Sequence, residues 1–200
     1  MFRKNGWEIT VWPSGMQERI PEELSPEQTV MYLSLGKALD VERQCAETLS
    51  EAERCFIVGA DTVVFLDRIL GKPKDEDEAF QMLKNLRNRQ HRVLTGVTIL
   101  EAGTTNLRCF YEVTCVQTTD YSEEDIWNYI RTGEPMDKAG AYAIQGRFAP
   151  YIASYTGDYE NVIGFPWRRA AEELKQMGVD EQLLRTAQPD GTAEKESGSL

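Results

Sequence analysis

The chain has a single histidine, His91. A cage of several imidazoles around a transition metal is therefore excluded, and a Ser-His-Asp triad could be built only on His91. Cysteine is scarce too. Cys45, Cys55, Cys109 and Cys115 form no C-x-x-C pair and match no zinc spacing. Scattered cysteines with no secretory leader read as reduced thiols, so the expected location is the cytoplasm. The N-terminal MFRKNGWEITVW lacks an apolar core, and no apolar run approaches membrane length, so no membrane partner is expected. Cations are also in deficit, with 22 Lys and Arg against 33 Asp and Glu, a formal net charge of −11. That balance argues against a general nucleic-acid binder, which needs a basic face. An acidic chain that handles a polyanion must concentrate its few cations in one place. Neither a G-x-x-x-x-G-K-[ST] loop nor a dinucleotide-binding glycine fingerprint is present.

The chain nevertheless has material for a core. Its 200 residues are 41% hydrophobic and 10% aromatic, which suits one domain over residues 1–186. The tail from residue 187, AQPDGTAEKESGSL, is small, polar and charged and reads as disordered. Gly6 reads as a helix stop, and Trp7 to Trp12 as a first strand. Ser25-Pro26-Glu27-Gln28 is a strong helix start, with the helix running to about Cys45. Residues 55–66, CFIVGADTVVFL, form an almost continuous apolar run, as in a strand covered on both faces. A turn follows, then a helix over 75–89 with Ala79, Met82, Leu83 and Leu86 on one stripe. Residues 91–101 and 106–119 read as an antiparallel hairpin, and Ser122 opens a helix that Gly133 closes. Residues 133–166 are rich in Gly and Tyr with little periodicity, and a last helix spans Trp167 to Met177. Helices mixed with buried and hairpin strands indicate an α/β fold with a mixed, twisted sheet.

Three places carry chemistry. Asp61 is a carboxylate inside an apolar strand, where burial is costly unless it is paired. It is either a strand-end group bonding a nearby loop or a base or metal ligand presented at the end of a strand. Lys72 sits in the stiff turn LGKP, as a phosphate contact or merely a solvated lysine. The segment GEPMDKAGAYAIQG (133–146) is a tight structural loop or an anion cradle of backbone N–H groups and Lys138.

Five blocks then occur in series: GADTVV (59–64), ILGKP (69–73), HRVLTGV (91–97), GEPMDKAGAYAIQG (133–146) and GDYENVIGFP (157–166). Together they resemble the Maf family of nucleoside triphosphate pyrophosphatases, from about Trp7 to Gly178. The resemblance implies an α/β fold with two lobes around a central cleft, like that of inosine triphosphate pyrophosphatases. It implies hydrolysis of a nucleoside triphosphate to the monophosphate and pyrophosphate with a divalent cation, Mg²⁺ or Mn²⁺. Asp61 would accept the proton of the attacking water, and Glu18 and Asp61 would hold the metal. Lys37, Lys72 and Lys138 would face the triphosphate. Thr62 and Gln145 resemble the dTTP/UTP branch and would be specificity residues, whereas the related 7-methyl-GTP branch typically has SDQ in place of ADT. A homodimer is implied as well.

The resemblance starts after the family's Ser-x-Ser-Pro-Arg-Arg loop, so the domain reads as N-terminally incomplete, and Arg3 and Lys4 do not stand at that motif. Arg68, Glu160 and Phe165 depart from the family's usual glycine, aromatic and leucine. An inactive or regulatory Maf-like binding protein linked to cell division is the alternative reading, with a 7-methyl-GTP pyrophosphatase as a third. The chemistry itself is consistent with the resemblance. Releasing pyrophosphate needs a positioned water, a base and neutralised phosphate oxygens, and none of these requires a histidine. His91, at the start of a strand, is assigned a structural, hydrogen-bonded role. Gln145 both donates and accepts, which suits the imide edge of uracil or thymine.

Overall fold

The computed structural model describes residues 9–46 and 54–179. Helix α1 (Pro26–Cys45) starts where the sequence places it. The Ser25 side chain accepts from the Gln28 amide, and the Gln28 side chain accepts from the Ser25 amide. Strand β1 (Phe56–Leu66) turns at Asp67, whose φ is 59°, into the short strand β2 (Arg68–Leu70). Helix α2 (Glu76–Leu86) is capped by Asp75 and buries the expected stripe of Ala79, Met82, Leu83 and Leu86. Strands β3 (Gln90–Glu101) and β4 (Leu107–Thr118) form the expected hairpin. Helix α3 (Glu123–Ile130) follows, capped by Ser122, and Gly133 lies beyond its end at φ 74°.

The Gly- and Tyr-rich stretch has no helical or strand period because it folds around aromatic rings. Its short 3-10 segments Glu134–Asp137, Ala139–Ala141 and Ala149–Tyr151 surround Phe148, which contacts Tyr121, Tyr129, Tyr142 and Tyr151. Two regular elements within it have only brief signals in the sequence. They are edge strand β5 (Ile152–Thr156) and helix α4 (Tyr159–Ile163), the latter bracketed by the Asp158 cap and Gly164 at φ 115°. Helix α5 (Trp167–Gln176) ends before Gly178, at φ 82°.

The sheet order is β2-β1-β3-β4-β5. The α/β class holds, but every pairing among the described residues is antiparallel, where a mixed sheet is expected from the sequence. The reason lies in the connections. Helix α2 leaves the chain at the end of β1 that β2 already occupies, so β3 runs back along β1. The expected strand over Trp7 to Trp12 is also corrected. Residues 7 and 8 lie outside the described residues, and 9–20 form an irregular strap. Val11 and Trp12 are exposed, and the Trp12 indole donates to Gln44 of α1 rather than entering a ladder. Gly6 and the tail from residue 187 also lie outside the described residues.

Two glycines determine how closely α1 lies on the sheet. A Cβ on Gly96 would sit 2.2 Å from the Val30 carbonyl oxygen, and one on Gly59 2.5 Å from that of Ser34. Because strand side chains alternate, Ile57, Gly59, Asp61 and Val63 face α1. Phe56, Val58 and Ala60 face α5, where Ala170 and Leu174 are buried. A larger apolar core gathers α2, α3 and the aromatic cluster at the other end of β1. The cleft opens between these two packed regions.

Candidate active site

A cleft of about 470 Å³ runs along β1 from Ala60 to Val64. Besides β1, four separate segments bring polar or charged residues to it. The strap contributes Glu18, α1 contributes Lys37, the turn after β2 contributes Gly71 and Lys72, and the Gly-rich loop contributes Asp137, Lys138 and Tyr142. The local concentration of cations that an acidic chain needs is present: Lys37, Lys72 and Lys138 line one cavity. The two loops are tied together, since the Gly140 amide donates to the Gly71 carbonyl at 2.9 Å. Gly140 needs to be glycine, because its φ is 67° and a Cβ would lie 2.8 Å from Val64.

Asp61 is the most deeply set charge in the cleft, with 14% of its side chain exposed. The ammonium of Lys37 donates to Asp61 Oδ1 at 2.5 Å and to Glu18 at 2.8 Å, so one cation joins two carboxylates. Burial pushes the Asp61 carboxyl above its usual range, and the bond from Lys37 only partly offsets this. For Lys37, burial pulls downward, but its bonds to Asp61 and Glu18 prevail and hold the proton more firmly than usual. On the opposite wall Lys138 pairs with Asp137 at 2.5 Å, which holds the Asp137 carboxyl below its usual range.

The strap that delivers Glu18 is held by Asp40. That carboxylate accepts from the Ser14 hydroxyl at 2.9 Å and the Gly15 amide at 2.8 Å. Tyr142 is fixed from behind, its hydroxyl 2.7 Å from His91 Nε2. His91 is buried and does not line the cleft, in keeping with a structural role. Burial pushes its imidazole down to about 4.

Of the residues singled out in the sequence, Glu18, Lys37, Asp61, Thr62, Lys72 and Lys138 meet in the cleft. Gln145 does not; it is exposed and absent from the lining, because the chain turns away after Tyr142. Val162, Ile163 and Gly164 supply a wall that sequence reasoning missed. The block GDYENVIGFP signals that wall, with Asp158 and Gly164 marking the two ends of a short helix. Thr95 and Asn161, directly behind Thr62, were also missed. Their positions depend on the β1–β3 register, in which Thr62 opposes Thr95.

Among the described residues no cluster of three or more His, Cys, Asp or Glu forms a metal site. None of the helices described is long and apolar enough to cross a membrane.

The model of a family described as Maf-like protein matches residues 1–177. A dTTP/UTP pyrophosphatase of Agathobacter rectalis is 46% identical over 191 residues, covering 90% of this chain and 92% of the relative. One of Geobacillus sp. is 47% identical over 166 residues, covering 82% and 84%. One of Acetivibrio thermocellus is 38% identical over 179 residues, covering 90% of each.

Proposed function

The chain belongs to the Maf-like protein family, and on that basis we propose that it hydrolyses dTTP and UTP to the nucleoside monophosphate and pyrophosphate. The observation that carries this reading is the half-buried Asp61–Lys37–Glu18 group facing Lys72 and Lys138 across one cleft. A triphosphate bears several negative charges, and three lysines in an otherwise acidic molecule are the complement to them.

Water attacks the α-phosphorus, forming a new P–O bond as the bond to the bridging oxygen breaks. Asp61 takes the water proton, and pyrophosphate leaves with the bond's electron pair. A carboxyl raised by burial holds that proton better than an ordinary aspartate, which suits a general base. Lys72 and Lys138 neutralise the phosphate oxygens as charge shifts onto the leaving group. Lys138 must exchange Asp137 for a phosphate to do so.

The donor set fits a divalent cation. Two carboxylates within reach of one ammonium are hard oxygen donors, too few for a closed protein cage but suited to Mg²⁺ or Mn²⁺ shared with phosphates and water. Glu18 and Asp61 would hold the ion, which when bound adds charge neutralisation at the phosphates.

Turnover of dTTP in H₂¹⁸O, followed by ³¹P NMR, tests the reaction. The expected products are thymidine monophosphate carrying the label and unlabelled pyrophosphate. Release of inorganic phosphate, or label in pyrophosphate, would overturn the reading.

A further inference from the structure

Behind the cleft wall lies a chain of buried and half-buried hydrogen bonds whose direction can be read. The Thr62 and Thr95 hydroxyl oxygens are 2.8 Å apart. The Thr95 hydroxyl also lies 2.9 Å from the main-chain carbonyl oxygen of Asn161. A carbonyl can only accept, and a threonine has one hydroxyl proton. Thr95 therefore gives its proton to Asn161 and accepts from Thr62. The Thr62 proton is committed inward, so only lone pairs are left facing the cleft.

Asn161 is held as firmly as the relay requires. It is fully buried, and its side-chain amide donates to the Val93 carbonyl and to the Thr114 hydroxyl, both at 3.0 Å. Thr114 in turn gives its proton to the Asp158 carbonyl at 2.8 Å. Exchanging the amide's oxygen and nitrogen would set Oδ1 against two acceptors, so the orientation is fixed. The short helix α4 is thereby fastened across β3 and β4, and its end forms the wall beside Thr62. That wall closes with Gly164. A Cβ there would stand 3.4 Å from Thr62 Oγ1, so the missing side chain leaves the hydroxyl uncovered.

We propose that Thr95 and Asn161 are positioning residues that keep the Thr62 hydroxyl a pure acceptor, so that the cleft selects a pyrimidine imide N–H over a ring-nitrogen lone pair. Uracil and thymine present an N–H at ring position 3, where cytosine presents a lone pair that an acceptor repels. The inference rests on the pyrimidine triphosphate reading and deepens it. A base that sets a lone pair against that hydroxyl leaves a polar pair unmatched, and that mismatch is the source of the discrimination.

The test is the binding ratio of α,β-imido-UTP to α,β-imido-CTP by calorimetry, which does not require turnover. Thr95→Val frees the Thr62 proton, so the preference for the uridine analogue is expected to fall at least about tenfold. Thr95→Ser keeps the relay and is expected to keep the preference. If Thr95→Val does not fold, Thr62→Val, at the half-buried end of the relay, takes its place. It should weaken the uridine analogue about tenfold or more without weakening the cytidine analogue. An unchanged ratio in folded Thr95→Val, or in Thr62→Val, overturns the proposal. Absence of pyrophosphate release by the unmodified protein would instead count against the catalytic reading alone.

Discussion

The ammonium of Lys37 lies 2.5 Å from Oδ1 of Asp61, and the same nitrogen reaches Glu18 at 2.8 Å. Lys37 sits on α1 and Asp61 on β1, so their contact depends on how closely the helix approaches the sheet. Without the lysine, two carboxylates would share the cleft with less to compensate them. Lys37→Met is therefore expected to lower kcat for dTTP by roughly 10²–10³ while the protein stays folded. Steady-state pyrophosphate release with circular dichroism on the same sample checks both parts.

Gly96 and Gly59 permit that approach. Gly96→Ala would drive a methyl group to within 2.2 Å of the Val30 carbonyl oxygen, which is main chain and cannot rotate away. The expected cost is about 3 kcal/mol, a fall in Tm of roughly 6–12 °C. Gly71→Ala meets nothing within 4 Å and should leave Tm nearly unchanged, so paired thermal melts of the two variants make the comparison internally controlled.

Asp137 competes with substrate for Lys138, since the two are paired at 2.5 Å across an exposed surface. Exposed pairs contribute little, so releasing the lysine has a small effect of known sign. Asp137→Asn should lower KM for dTTP by roughly two- to five-fold. A rise in KM would mean that the aspartate helps to bind the substrate.

His91 is the chain's only histidine, which makes its titration easy to isolate. Burial lowers its imidazole from the ordinary 6.5 to about 4, so the folded state resists a proton that the unfolded state accepts. For such a depressed histidine, stability is full above the unfolded value and declines as pH falls through the window from 6.5 to about 4. The expected loss across that window is at most ~3 kcal/mol. Denaturant melts at several pH values, compared with His91→Gln, should show the decline in the parent and not in the variant. The imidazole proton resonance should titrate near 4.

Much of this fold is legible in the sequence, for local reasons. Ser25 and Ser122 announce helices because their side chains cap them, and the 55–66 run announces a covered strand because α1 and α5 do cover it. The elements that go unannounced depend on tertiary partners. Strand β2 has three residues and exists by pairing with β1, while β5 lies mostly exposed on the edge of β4. Trp12 has the composition of a strand residue but finds a side-chain partner on α1 instead. The site divides in the same way. Asp61 stands out because a carboxylate in an apolar strand demands a partner, and Lys72 and Lys138 stand out in stiff or glycine-rich turns. Thr95 and Asn161 have no such local mark. Only the cross-strand register and the fold of α4 bring them behind Thr62. Gln145 follows Tyr142 closely in sequence but stands exposed, outside the cleft lining.

The most direct test of the account is pyrophosphate release from dTTP and UTP by Asp61→Asn. The substitution keeps the shape and removes the proton acceptor. The expected result is a folded protein whose kcat is lower by roughly 10²–10⁴. A folded variant that turns over both nucleotides at the parent rate would contradict it.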